Sequence, residues 1–263
     1  TTLLPRVQKA AWEALAQGCA GGCKGSVVAL EPSTGKILSM VSAPSYDPNL
    51  LAVHDSEAQG QAWEQLRDDP GGPLTNRAIS ERYPPGSTFK VITTAAALQA
   101  GMSENERLTA APQIPLPNST ATLENYGGTP CGDEPTAPLR EAFERSCNTA
   151  FVQLGIRIGA EALRSTADSF GFDTPPVAIP LQVAESTVGE MTDAAAVGMS
   201  SMGQKDVAVT PLQNAMVAAA IANGGVVMQP YLVDRLEGPD LADISSTAPQ
   251  EQRDPASVRA QFD

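Results

Sequence analysis

The chain is poor in histidine and in basic residues, and each shortage excludes a class of function. His54 is the one histidine among 263 residues, so a Ser-His-Asp triad could be built only on this single residue. Seventeen basic against thirty acidic residues give a net charge of -13, which repels nucleic acid and anionic lipid surfaces. We therefore expect no nucleic-acid partner. No apolar run reaches the length of about 18 residues that a membrane-spanning helix needs.

Cysteine is also scarce. Cys19, Cys23, Cys131 and Cys147 allow three disulfide pairings. Zinc is disfavoured because the first two cysteines have no second ligand pair and His54 stands alone, so we predict no metal and no cofactor. We favour the local disulfides Cys19–Cys23 and Cys131–Cys147, which imply an oxidising, extracytoplasmic setting. Buried free thiols remain the alternative.

Local patterns predict an alternation of helices with a β-hairpin. The hairpin spans residues 25–31 and 36–43, around the turn Pro32-Ser33-Thr34-Gly35. The pattern over residues 87–100 predicts a helix that is apolar nearly all round. We therefore expect this helix to be buried in the centre of the fold. Further predicted segments are helices over 7–16, 62–67, 139–145, 149–158, 160–170 and 211–223, a loop over 112–138 and a strand over 226–233.

A serine and a lysine stand three positions apart in Ser87-Thr88-Phe89-Lys90, directly after Pro84-Pro85-Gly86. A helix places positions i and i+3 on one face, so the amine can reach back toward the hydroxyl. Without a triad histidine, Lys90 is the natural base for a Ser87 nucleophile. An ordinary lysine has only about one amine in a few thousand neutral at pH 7, so this role requires a lowered pKa. Burial in an apolar helix supplies that desolvation.

Two further motifs need their context. Ser33-Thr34-Gly35-Lys36 repeats the spacing inside a Pro/Gly turn, where no helix holds the amine over the hydroxyl, and we predict no chemistry there. Ser146-Cys147-Asn148 lies between two predicted helices, which lets both polar side chains point into one cleft. There Ser146 could relay a proton and Asn148 could bind a peptide backbone. On its own, this second motif would be an ordinary turn.

The conjunction of Pro-Pro-Gly-Ser-Thr-Phe-Lys with Ser-Cys-Asn about 60 positions later resembles the penicilloyl serine transferases. The flanking segments are similar to those of class B penicillin-binding proteins, and most similar to the actinobacterial penicillin-binding protein A group. The resemblance runs from Gly25 to Arg235, about four fifths of the chain. The flanking segments that carry it are residues 31–38, 43–49, 76–78, 209–213 and 223–225.

This resemblance implies a fold and a set of roles. The fold is α/β (α+β), with an antiparallel sheet flanked by helices and an additional all-helical subdomain. Ser87 would be the acyl-ester nucleophile and would contribute one N–H of the oxyanion hole, and Lys90 would be its general base. Ser146 would pass a proton to the leaving amine, and Asn148 would hold an amide of the substrate.

One departure from the family pattern is the absence of its third motif, Lys-Thr-Gly or Lys-Ser-Gly on a strand. The five lysines are followed by Ala10, Gly25, Ile37, Val91 and Asp206. We therefore expect an incomplete sheet with an unpaired edge, a native C-terminus beyond Asp263, and a complementary C-terminal segment that completes the sheet. The expected domains are an N-terminal helix and linker over residues 1–24 and a transpeptidase domain over residues 25–263.

The function implied by the resemblance is DD-transpeptidation of peptidoglycan. Ser87 would attack the terminal D-Ala-D-Ala bond of one stem peptide and pass the acyl group to an amine of another, and β-lactams would acylate the same serine. The implied location is the extracytoplasmic face of the cell membrane, with an anchoring helix outside this chain and cell-division or elongation proteins as partners. Two alternatives stay open: a serine β-lactamase, and a non-catalytic β-lactam sensor or cell-division interaction module.

Overall fold

The computed structural model describes residues 1–18, 22–175 and 179–252. It confirms the mixed α/β class. The helices are α1 (Pro5–Gly18), α2 (Ser56–Asp68), α3 (Arg77–Ser80), α4 (Lys90–Gln99), α5 (Leu139–Glu144), α6 (Asn148–Ser169), α7 (Ala194–Ser201) and α8 (Pro211–Ala222). The strands are β1 (Gly25–Leu30), β2 (Ile37–Ala43), β3 (Arg107–Thr109), β4 (Gln113–Pro115), β5 (Thr122–Glu124), β6 (Thr136–Pro138), β7 (Arg235–Glu237) and β8 (Asp243–Ser246). They pair antiparallel as β1–β2, β3–β6, β4–β5 and β7–β8.

The predicted hairpin is present as β1 and β2. Their register runs from Gly25 opposite Ala43 to Leu30 opposite Ile37, and alternate residues of β2 are buried toward the core. Within the described residues, β1 has β2 as its one strand partner. The outer edge of β2 is covered by α1, because the Gln8 side-chain amide donates to the Met40 carbonyl at 2.8 Å and accepts from the Met40 N–H at 2.9 Å.

Helix α4 lies between two apolar clusters, which confirms the prediction of a buried central helix. Ile92, Ala95 and Ala96 join one cluster with residues of α3, α6 and α8, and Ala97 joins a second cluster around Cys131 and Cys147. This burial removes α4 from water along most of its length. In the part of the chain that the structure describes, no helix combines the length and apolarity needed to cross a bilayer.

Three sequence-based expectations differ from the structure in instructive ways. The predicted loop over 112–138 contains the short pair β4–β5 and strand β6. The predicted strand over 226–233 is wrong: Pro230 has no N–H to donate, and the segment forms only isolated bridges, one of them from Tyr231 to Lys36. The two helices predicted over 149–158 and 160–170 follow each other within α6, separated by a non-helical Gly159 with φ of 84°.

Candidate active site

Ser87 lies in a 3-10 turn, Gly86–Phe89, that leads into α4, and its side chain is exposed. The helix predicted from residue 87 therefore begins as a 3-10 turn, and the α-helix begins at Lys90. Such turns are common at helix N-termini. The Lys90 N–H donates to the Ser87 carbonyl, and the Thr88 hydroxyl donates to the Pro85 carbonyl at 2.9 Å. These bonds hold the turn that presents the Ser87 hydroxyl to solvent.

Lys90 is buried, with 1% of its surface exposed, and its amine contacts both polar residues of the second motif. Nζ donates to the Ser146 carbonyl at 2.7 Å, to Ser146 Oγ at 3.1 Å and to Asn148 Oδ1 at 2.8 Å. An ammonium has three N–H donors, so these contacts use all of them. Loss of one proton would leave a lone pair that can accept from a neighbouring hydroxyl. The structure thus brings together Lys90, Ser146 and Asn148.

Burial lowers the pKa of Lys90 to about 8. The Phe151 ring, whose centroid is 5.3 Å from Nζ, favours the charged amine, but the loss of hydration outweighs it. With this pKa, about one amine in ten is neutral at pH 7, against about one in a few thousand for an ordinary lysine. The site therefore provides a usable amount of neutral amine next to the Ser87 turn.

The second Ser-x-x-Lys sequence has the opposite environment. Lys36 lies 3.1 Å from Asp234 in a partly exposed ion pair, and this hydrogen bond with the carboxylate raises the pKa of Lys36. Ser33 is exposed in the turn that joins β1 to β2. A lysine held in its charged form cannot accept a proton from a serine. The contrast between Lys36 and Lys90 supports the prediction that only Ser87-Thr88-Phe89-Lys90 carries chemistry.

Ser146 has a backbone conformation that normally belongs to glycine. It follows the last turn of α5 in a Schellman motif, in which its own N–H donates to Phe143 at 3.0 Å and the Cys147 N–H donates to Ala142 at 2.9 Å. Its φ of +56° lies in the left-handed region, which costs a residue with a Cβ about 1 kcal/mol. Strain of this kind concentrates at functional sites. Here a hydroxyl occupies the position, and both Ser146 oxygens contact Lys90.

Asn148 is the first residue of α6, and its side chain connects α4 to strand β5. Its Oδ1 accepts from Lys90, and its Nδ2 donates to the Glu124 carbonyl at 3.2 Å. One amide thereby contacts the Lys90 amine on one side and strand β5 on the other.

Asn125 is a residue of this region that we did not predict. It is 7% exposed, and its Oδ1 accepts from the Thr149 N–H at 3.0 Å, which caps the N-terminus of α6 from outside the helix. Its Nδ2 donates to the carbonyls of Ala111 and Thr129 at 3.1 and 3.0 Å. Within a loop rich in Asn, Thr and Gly, no local sequence signal distinguishes this buried amide from an exposed one.

The disulfide Cys131–Cys147 predicted as a local pair is present, with Cα atoms 5.9 Å apart and a separation of 16 positions in sequence. Both cysteines are buried in the second apolar cluster. Cys147 stands between Ser146 and Asn148, so the bridge joins the second motif to the loop that also carries Asn125. The predicted Cys19–Cys23 pair lies outside the described residues because Cys19 does.

Comparison with known proteins identifies the class. A model of the penicillin binding protein transpeptidase domain matches residues 25–261, and the chain belongs to this family. Peptidoglycan D,D-transpeptidase PbpA of Mycobacterium tuberculosis (strain H37Rv) is 71% identical over 253 residues, which are 96% of this chain and 52% of that protein. Peptidoglycan D,D-transpeptidase MrdA of Haemophilus influenzae is 31% identical over 234 residues, 82% of this chain and 34% of that protein.

A solved structure supports the same assignment. Penicillin-binding protein A from M. tuberculosis, as a penicillin G acyl-enzyme complex, matches with a TM-score of 0.95 and 69% sequence identity. The match covers 99% of this chain and 60% of that chain. The predicted resemblance to class B penicillin-binding proteins, and to the penicillin-binding protein A group, is confirmed. The chain spans about half the length of the PbpA sequences it matches.

Proposed function

We propose that this chain is the catalytic part of a peptidoglycan D,D-transpeptidase that forms an acyl-enzyme on Ser87. The observation that carries the proposal is the buried Lys90 amine, which lies one turn after an exposed serine and contacts Ser146 and Asn148. Support also comes from the names of the relatives and from the penicillin G acyl-enzyme of the structural neighbour.

In the first half-reaction, neutral Lys90 takes the proton of the Ser87 hydroxyl while Oγ bonds to the carbonyl carbon of a terminal D-Ala-D-Ala peptide bond. The electron pair of the C=O bond moves to oxygen, where the Ser87 N–H stabilises the negative charge. The C–N bond then breaks. The Lys90 ammonium returns its proton through the Ser146 hydroxyl to the leaving nitrogen, and D-Ala departs.

In the second half-reaction, an amine of a neighbouring stem peptide attacks the ester carbonyl. The amine gives up a proton to Lys90 through Ser146, the bond from carbon to Ser87 Oγ breaks, and Oγ takes that proton from the Lys90 ammonium. Asn148 holds an amide of the substrate in both steps. A β-lactam follows the first half alone, because its leaving nitrogen stays tethered to the acyl group and blocks the acceptor.

The remaining parts of the proposal concern the setting. Peptidoglycan lies outside the cytoplasm, so we place this domain at the extracytoplasmic face of the membrane, in agreement with its disulfide. Cell-division or elongation proteins are its proposed partners. A complementary C-terminal segment would pair with β1, complete the sheet and supply the second oxyanion N–H.

Intact-mass measurement after incubation with a penicillin tests the nucleophile. The full-length protein is expected to gain one penicilloyl group, which peptide mapping locates on Ser87. Ser87→Ala should gain none, and Ser33→Ala, the matched change in the second Ser-x-x-Lys sequence, should be labelled as the parent is. Labelling of Ser87→Ala would overturn the assignment.

The lifetime of the adduct separates the transpeptidase from its rivals. An acyl group that persists for hours indicates a transpeptidase or a sensor, whereas rapid hydrolysis with turnover of the drug indicates a β-lactamase. Cross-linking of a donor stem peptide to an acceptor amine then separates the enzyme from a sensor, which would acylate with the drug and form no cross-link.

A further inference from the structure

The segment that leads into the nucleophile, residues 83–86, is held from one side. Tyr83 and Val209 exchange two main-chain hydrogen bonds of 2.9 Å each, and the Gly86 N–H donates to the Gly203 carbonyl at 2.9 Å. The two residues between them are Pro84 and Pro85, which have no N–H. Every main-chain donor of this lead-in segment is therefore bonded to residues 203–209.

Gly203 packs against this segment without any gap. A Cβ on Gly203 would lie 2.2 Å from the Gly86 carbonyl oxygen, 2.8 Å from the Gly86 nitrogen and 2.8 Å from the Phe89 Cβ. Two of these atoms belong to the backbone, so they cannot swing aside as a flexible side chain would. Gly203 thus touches the residue that is covalently joined to Ser87.

Gly203 is itself fixed by the end of α7. Its N–H donates to Ser200 at 2.9 Å and the Gln204 N–H donates to Met199 at 3.2 Å, which is a Schellman motif with Gly203 in the left-handed position at φ of +73°. The buried Thr93 hydroxyl, one turn after Lys90 on α4, donates to the Ser201 carbonyl at 2.6 Å. The end of α7 is therefore joined both to the lead-in segment and to the helix that carries the base.

We propose that Gly203 is a positioning residue for the nucleophile: its missing side chain and its carbonyl set where the Gly86–Phe89 turn holds the Ser87 hydroxyl relative to the Lys90 amine. The inference rests on the proposed role of Ser87. A Cβ needs about 3.4 Å from its neighbours, so Gly203→Ala must displace the Gly86 carbonyl by about 1 Å. A misplacement of that size near reacting groups can cost about a hundredfold in rate.

The test compares Gly203→Ala with Gly224→Ala in the full-length protein. Gly224 has the same position in the Schellman motif that ends α8, with φ of +63°, but nothing lies within 4 Å of a Cβ placed there. Each variant replaces a left-handed glycine at the equivalent position of a Schellman motif. Stopped-flow acylation by a fluorescent penicillin is resolved into the noncovalent binding constant and the acylation rate constant.

We expect Gly203→Ala to lower the acylation rate constant about a hundredfold, with binding unchanged within about threefold and the midpoint of the pH profile retained. Gly224→Ala should acylate as the parent does. Equal loss in both variants, an unchanged rate in Gly203→Ala, or a displaced pH midpoint would each overturn the inference. Failure of the parent protein to label at Ser87 would instead overturn the proposed function.

A second pair of variants serves if Gly203→Ala does not fold. Thr93→Val removes the bond from α4 to the Ser201 carbonyl. Thr166→Val removes a hydroxyl bond of the same length, 2.6 Å, from another buried threonine to Gln99, away from the nucleophile turn. We expect the acylation rate constant to fall severalfold in Thr93→Val only. Equal rates in the two valine variants would contradict the role of the α7 end.

Discussion

The pH dependence of Ser87 acylation follows directly from the environment of Lys90. Burial lowers the pKa of Lys90 to about 8, and the neutral amine is the form that can accept the Ser87 proton. Its population rises from about 1% at pH 6 to about 90% at pH 9. The second-order acylation rate should therefore rise roughly ninetyfold over this range and level off above it.

Stopped-flow measurement with a fluorescent penicillin gives this profile. Lys90→Arg should abolish labelling at every pH because a guanidinium keeps its proton. Lys36→Arg is the matched control, since that lysine is already held charged by Asp234, and it should leave the profile unchanged. A flat profile, a midpoint near that of free lysine, or labelling of Lys90→Arg would refute the reasoning.

The same depressed pKa has a consequence for stability, and its sign can be worked out. The folded state releases the Lys90 proton near pH 8 and the unfolded state near pH 10.4, so between these values the unfolded state binds more protons and stability rises with pH. The buried charge therefore costs its full amount below about pH 8. Between pH 7 and pH 9.5 the free energy of unfolding should gain about 2 kcal/mol from this group. Urea unfolding at both pH values, compared with Lys90→Met, checks this: the gain should be missing in the variant.

Three further outcomes follow from the second motif and from the loop that is bonded to it. Ser146→Gly and Ser146→Ala should both slow acylation at least tenfold, but the glycine variant should be more stable by about 1 kcal/mol in thermal unfolding, because only alanine keeps the left-handed strain; equal stabilities would contradict the strain. Cys131→Ala and Cys147→Ala should each cost about 3 kcal/mol and slow acylation several-fold, as should reduction of the parent; unchanged acylation would show that the bridge only staples the loop. Asn125→Ala should lower the free energy of unfolding by about 2 kcal/mol, since it leaves buried groups such as the Thr149 N–H without a partner, and denaturant titration measures this.

The residues that we propose carry the chemistry could be selected from the sequence because each lies in a short motif of defined spacing. Ser87 and Lys90 are neighbours along the chain, and a turn of helix joins them whatever the rest of the fold does. The pairing of Lys90 with Ser146 and Asn148 was expected only through the family resemblance, since the residues are 56 and 58 positions apart. Local sequence patterns do not indicate which residues so far apart along the chain come together in the fold.

Other parts of the site could not be predicted, for identifiable reasons. Asn125 acts through burial, which depends on how a long loop packs against α6. Gly203 looks like any glycine at the end of a helix, and only tertiary contact distinguishes it from Gly224. The difference over residues 226–233 has a local cause: the segment is apolar, as a buried strand would be, but Pro230 lacks the N–H that a strand ladder needs.

The side chain of Gln8 occupies one edge of the β1–β2 sheet and leaves the other edge open to further strands. By satisfying both the N–H and the carbonyl of Met40, it imitates the peptide group of a neighbouring strand and then stops, since a side chain offers no further row of donors and acceptors. Foreign strands find no continuous template on that flank of β2. The Leu4 N–H, which donates to the Leu38 carbonyl at 3.0 Å, and the Tyr231 carbonyl, which accepts from the Ile37 N–H at 3.1 Å, occupy the rest of this edge. Any extension of the sheet is therefore confined to the β1 flank, and Gln8 helps to protect the protein against edge-to-edge aggregation.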